Sequence, residues 1–173
     1  MSRPRAKEVS LSEATIRPAT PDDSEAISRV LLEAFITVRE HYTDDAFEMV
    51  TPKADEVEGR FDEGPMWVAE IDGEIVGTVS LTTEPEGFYV RSMAVAPAAQ
   101  GKGIGRMLLD ALHEHVAKLG GDRIFLYTLP FQKGARAMYE KYGYTWVRDT
   151  PAEEWFGVPG LEMEKFLREE NAA

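Results

Sequence analysis

Between residues 93 and 106, an apolar stretch ending in Val95-Ala96-Pro97 gives way to Gln100-Gly101-Lys102-Gly103-Ile104-Gly105-Arg106. Three glycines at alternate positions, between a strand and a helical stripe, leave little choice of local fold. Pro97 ends the strand because it has no N–H for the ladder. The glycines admit backbone angles closed to other residues and keep side chains out of the loop. The loop therefore opens a helix with bare N–H groups at the positive end of its dipole, which makes a seat for phosphate. That helix spans about residues 104–119, with Ile104, Leu108, Leu109, Leu112, Val116 and Leu119 on its apolar face, and Gly120-Gly121 stops it. A strand over 124–128 follows. Strand, helix and strand at this length predict a parallel pair joined by a right-handed crossover.

Upstream, residues 15–18 read as a short strand. Thr20-Pro21-Asp22-Asp23 is a helix start: a capping hydroxyl, proline at the first helical position, and acids at the positive end of the dipole. The helix behind it carries Ile27, Val30, Leu31, Ala34, Phe35 and Val38 on one stripe. The pattern fades over 40–64, where Thr51-Pro52 predicts a short helix to about Arg60. Then the period becomes two. Residues 66–71 and 74–82 form a hairpin about Asp72-Gly73, and 88–95 is a third strand after Pro85-Glu86-Gly87. Near the end, Ala135, Met138, Tyr139 and Tyr142 share a helix face closed by Gly143, and 144–147 and 161–166 read as strands. There is no internal repeat or low-complexity block. The expected fold is α/β, a mixed sheet with helices on both faces. The 173 residues suffice for one domain, expected over 14–168, with loose ends at 1–13 and 169–173.

The glycine loop fails two phosphate signatures. A P-loop needs Gly-Lys and then Ser or Thr, but Gly105 is followed by Arg106 and Met107. A dinucleotide fingerprint needs a third glycine. That place holds Arg106 counted from Gly101, and Leu108 counted from Gly103. Instead, Gln100, Gly103 and Gly105 fit the pattern Q/R-x-x-G-x-G/A, and here the chain resembles the GNAT superfamily of N-acetyltransferases. Ala135 and Tyr139-Glu140-Lys141-Tyr142-Gly143-Tyr144 are similar to that family's closing helix, with Gln132 where asparagine is usual. The order of elements is alike over about residues 15–166, and the motifs over 93–109 and 132–144.

The resemblance implies an antiparallel meander followed by a parallel β-α-β unit splayed to hold acyl-CoA. It implies an enzyme that moves the acetyl group of acetyl-CoA to an amine of a small molecule or peptide, by direct attack through a tetrahedral intermediate. Met93, Ala94 and Val95 would bond the pantetheine arm as an added strand. Gln100, Gly101, Lys102, Gly103, Ile104, Gly105 and Arg106 would hold the diphosphate, and Gln132 would reach the coenzyme. An N–H near Val95 would steady the oxyanion. Tyr139 would protonate the departing thiolate as general acid. Read without the resemblance, Tyr139 is a core residue, and Lys102 and Arg106 are solvated cations.

No general base stands out. Glu84 and Glu86 lie in a turn, Glu70 on an earlier strand, and His41 alone after the first helix. Each reads as solvated or incidental. His113 and His115 point to different sides of the long helix, so they form no metal pair, and Asp110, Glu114 and Lys118 beside them predict a solvated face. No other cluster has metal-ligand spacing. Trp155, Phe156, Phe47 and Met49 read as loop packing, with a roof over the acceptor as the alternative.

The net charge of −12 opposes nucleic acid and anionic membranes and favours an amine substrate, though it equally serves solubility alone. No window has the apolar length of a membrane span, and the first fourteen residues lack the apolar stretch of a secretory signal. A cytoplasmic location is the default expectation. With no cysteine, disulfides, thiolate metal sites and a cysteine nucleophile are excluded. A homodimer stays open. The competing reading is a non-catalytic acyl-CoA sensor on the same fold. A nucleotide binder of another kind is opposed by the failed fingerprints.

Overall fold

The period-two stretch sets the frame. The computed structural model describes residues 13–167. In it Thr15–Pro18 (β1), Met66–Ile71 (β2), Glu74–Glu84 (β3) and Gly87–Val95 (β4) run antiparallel in sequence order. Asp72 and Gly73 both take positive φ, 52° and 79°, as a two-residue turn matched to strand twist requires. Arg123–Thr128 (β5) lies parallel to β4. Gly160–Phe166 (β7) then inserts between β5 and the edge strand Thr145–Thr150 (β6), giving the order β1-β2-β3-β4-β5-β7-β6. The expected tails lie outside the described residues, Glu13 excepted, as does residue 168 of the expected domain.

Alternation divides the sheet's faces. Val68, Ile75 and Ala94 pack under Ser24–Phe35 (α1) and Ala54–Arg60 (α3). Trp67, Ala69 and Val79 pack under Ile104–Lys118 (α4), whose Ile104, Leu108, Leu109, Leu112 and Val116 are fully enclosed. Each of those five side chains contributes about 1.5–3 kcal/mol by leaving water. Lys133–Tyr142 (α5) joins the same layer through Tyr139 and Met138. Among the described residues no helix is long and apolar enough to cross a membrane.

Four expectations change. The stripe of α1 stops at Phe35. A kink follows, and Val38 sits outside helical geometry at φ −123°. A helix absent from the sequence reading, Asp44–Val50 (α2), starts where the Thr43 hydroxyl accepts from the Ala46 N–H. Leu119 is not on the apolar face. It lies past the last turn of α4 and is 61% exposed. His113 is not on a solvated face. It is buried, with Nε2 2.6 Å from the Tyr144 hydroxyl and its ring against Tyr142. The α5–β6 segment covers that flank of α4, which one helix's periodicity cannot reveal. His115 sits edge-on to Trp67.

Candidate active site

The site begins where two parallel strands part. β4 and β5 pair only at Phe88 with Ile124 and Tyr89 with Phe125. The cause lies in β4. Opposite Thr78 and Ser80 of β3, β4 runs from Ala94 to Arg91, three steps against two. Ser92 takes up the extra residue at φ 53°, and such a bulge bends its strand. Beyond it, β4 leaves β5. The Ala96 N–H donates to the Val76 carbonyl at 2.8 Å, and Ala94 stands opposite Thr78. Val95 between them therefore turns its N–H and carbonyl away from β3, toward the gap. Ala94 does the reverse: its backbone is used by β3 and its methyl packs beneath α1. At the far tip of β5, the Thr128 hydroxyl is buried with no hydrogen-bond partner among the described residues.

The glycine loop enters α4 beside this gap. Gly101 and Gly103 have φ of 80° and 77°. Among the described residues, a Cβ at either would meet nothing within 4 Å. Backbone sign, not crowding, demands glycine there, and the space above the loop is open. From Gly101 to Arg106, no N–H has an acceptor among the described residues. These amides crown the positive end of a fifteen-residue helix. Gly105 differs. Its Cβ would fall 2.8 Å from Met138 Sδ and 3.1 Å from Met93 Cε, so glycine lets the first turn of α4 approach α5 and β4. Gln100 is turned inward on its own loop: Nε2 donates to the Val95 carbonyl at 3.1 Å. Lys102 and Arg106 are exposed and make no ion pair among the described residues. Ile104 buries its side chain and leaves only its N–H at the loop.

Tyr139 closes the inner end. It is 7% exposed, its hydroxyl lies 3.5 Å from Met93 Sδ, and its ring meets Tyr144 edge-on. Burial pushes the phenol well above its ordinary value, and the neighbouring Tyr89 adds to this. The group is protonated at neutral pH, and among the described residues its hydroxyl faces a weak thioether acceptor. Tyr139 is thus both part of the core and part of the site wall.

A pocket of about 360 Å³ runs from Met93 and Tyr139 outward to Tyr42, Met49, Val50 and Trp155. The segment least readable in the sequence builds this outer wall. Tyr42 is its hub, packed on Phe35, Phe47, Phe131 and Trp155. Gln132 Nε2 donates to the Tyr42 hydroxyl at 3.2 Å, which ties the start of α5 to that wall. Trp155 and Met49 line the pocket, whereas Phe47 and Phe156 do not. His41 stacks on Phe131 outside it. Glu70 pairs with Arg17, and Glu84 accepts from Thr82. The carboxylate in the lining is Glu154, held in a fork by Arg148 at 2.9 and 3.0 Å, which lowers its pKa and weakens it as a base.

Two functional candidates escaped the sequence reading. Arg60 of α3 and Arg91 of β4 both line the pocket. Arg60 donates to the Ser92 hydroxyl at 3.2 Å and to the Met49 carbonyl at 3.1 Å. Burial, and then the charge of Arg91, pull its pKa below the ordinary value. Arg91 pairs with Glu63, but its Nε is buried with no partner among the described residues. The available signal was a cation on a strand bordering the glycine loop.

Comparison with known proteins adds three findings. A family model described as "Acetyltransferase (GNAT) family" matches residues 35–144. Among curated proteins, the uncharacterized N-acetyltransferase YjgM of Escherichia coli (strain K12) is 29% identical over 138 residues, 75% of this chain and 80% of that protein. The mycothiol acetyltransferase of Amycolatopsis mediterranei (strain U-32) is 34% identical over 132 residues, 71% of this chain but only 43% of its own length. This chain thus spans less than half of that protein. Among solved structures, the PaiA N-acetyltransferase of Thermoplasma acidophilum in complex with coenzyme A superposes with a TM-score of 0.73 at 21% identity, over 89% of this chain and 99% of that one. At that identity the likeness is one of fold.

Proposed function

This chain belongs to the GNAT acetyltransferase family, and from that premise we propose that it transfers the acetyl group of acetyl-coenzyme A to an amine nitrogen of a small molecule or peptide. One observation carries the reading: the unpaired amides from Gly101 to Arg106 stand at a helix N-terminus, beside two parted parallel strands. The amides suit a diphosphate, with Lys102 and Arg106 adding charge at the rim. The open edge of β4 suits the amides of a pantetheine arm, with Val95 as the residue whose backbone faces it. The Gln100 amide shares the Val95 carbonyl or swings aside when that arm lies down.

The same Val95 N–H is the donor for the oxyanion that forms as the amine adds to the thioester carbon. The amine nitrogen gives up its proton to water as it adds, and Tyr139 hands its phenolic proton to the departing thiolate and regains one from water, so the protons balance. Its raised pKa does not disqualify it. The apolar wall that holds the proton on Tyr139 also raises the proton affinity of a thiolate beside it. Gln132 acts by fixing Tyr42, so its part lies on the acceptor side of the pocket.

The test follows coenzyme A thiol release from acetyl-coenzyme A against a library of amines. Amine-dependent release supports the transferase. Tight coenzyme binding with no release from any amine would instead support a sensor, the reading favoured by the tethered state of Glu154.

A further inference from the structure

Arg60 and Arg91 line the same pocket as Phe35, Met49, Val50 and Val90. Two like charges in a half-buried apolar wall repel, and neither regains its full hydration. Glu63 pairs with Arg91 at Nη2, and Glu63 and Glu56 also act on the charge of Arg60. Within the pocket lining the carboxylate, Glu154, is already held by Arg148. Arg91 Nε is buried and has no hydrogen-bond partner among the described residues, a rare and costly condition for a charged donor. The pair also runs against a chain whose net charge is −12.

Its position matters as much as its charge. Arg60 bonds the Ser92 hydroxyl, and Ser92 is the bulge residue that parts β4 from β5. The next residue, Met93, touches the Tyr139 hydroxyl. An anion held by Arg60 and Arg91 therefore sits near the reacting end of the pocket. Guanidinium groups match a carboxylate through parallel N–H donors.

We propose that Arg60 and Arg91 clamp a carboxylate carried by the acceptor, so that the acceptor is an amino acid presenting its amine toward Met93 and Tyr139. This rests on the transferase reading above. The apolar remainder of the wall takes the side chain, which favours leucine-like or aromatic residues over charged ones. Phe35, Met49 and Val50 offer no partner for a second charge, and the carboxylate in the lining, Glu154, is already forked by Arg148.

The experiment compares kcat/KM for the standard amino acids, the same set as amides, and the matched amines lacking the carboxyl group. Amino acids should exceed their amides by at least about tenfold, mainly through KM. In Arg91→Gln, that ratio should fall below about threefold, and Arg91→Lys, which keeps charge without the fork, should lie between. Thermal stabilisation by coenzyme A, measured on each variant, confirms that it is folded and that the coenzyme side is intact. If amides or plain amines are acetylated as well as amino acids, or if phosphorylated amines are preferred, the clamp is refuted while the transferase stands. If no amine of any class is acetylated, the transferase reading and the clamp fall together.

Discussion

The two halves of the pocket are built by different means. The half proposed for the coenzyme is made of backbone: amides from Gly101 to Arg106 and the turned-out peptide of Val95. The half proposed for the acceptor is made of side chains brought from four distant places, Tyr42, Arg60, Arg91 and Trp155. Backbone recognition requires particular φ values, and φ is written locally, as glycine. A wall of side chains requires only that packing bring them together. The first kind of site is legible in a short stretch, and the second kind emerges with the fold.

The largest test of this contrast lies at the seam. Tyr139→Phe should lower kcat by about 10²–10³, the range for loss of one general acid, with coenzyme A affinity unchanged within about twofold. Calorimetry and single-turnover thiol release separate the two. An undiminished kcat would return Tyr139 to the core alone.

Next comes Gly103→Val. A branched residue at φ 77° is strained by roughly 1–2 kcal/mol, and relief of that strain re-aims the neighbouring amides. Coenzyme A affinity should fall about a hundredfold by titration calorimetry. Wild-type affinity would mean that the loop backbone is not the grip.

A smaller effect concerns pH. Burial raises the phenols of Tyr42, Tyr139 and Tyr144 above their unfolded value of about 10. The folded state therefore holds these protons more tightly. The stabilisation is whole below about pH 10 and is lost as pH rises through the folded values. Urea midpoints should be steady from neutral pH to about 10 and then decline, less steeply in Tyr139→Phe. A decline beginning near pH 8 would contradict the burial of these rings.

The smallest effect should come from Gly105→Ala. Its added methyl meets the flexible ends of Met138 and Met93, so it should cost about 1 kcal/mol of stability and change coenzyme A affinity by less than about threefold. Set beside Gly103→Val, it separates two glycines of one motif into a packing residue and a backbone residue.

Much of the fold was readable because local chemistry carried it. Asp72-Gly73 marked the hairpin, the long stripe from Ile104 marked the crossover helix, and Gly143 at φ 112° closed the last helix as expected. What was missed depended on distance or brevity. The seven residues of α2 are too few to print a stripe, although Thr43-Asp44-Asp45 was a usable cap. His113 is buried by Tyr142 and Tyr144, which arrive from another layer. Arg60 and Arg91 are thirty-one positions apart and come together only in the fold, where Arg60 reaches Ser92 of β4. Gly105 keeps its amide in the proposed phosphate seat, and its closeness to methionines on two other elements is a second reason for glycine that the loop alone does not show.

The central claim is that free amides at the head of α4 hold the coenzyme's diphosphate. Backbone amide resonances followed by NMR during titration with coenzyme A address it directly. The account predicts the largest shifts from Gly101 to Arg106, with a second group at Val95, and little change at Tyr42 or Trp155. Saturable binding that leaves the resonances of residues 101–106 unmoved would contradict it.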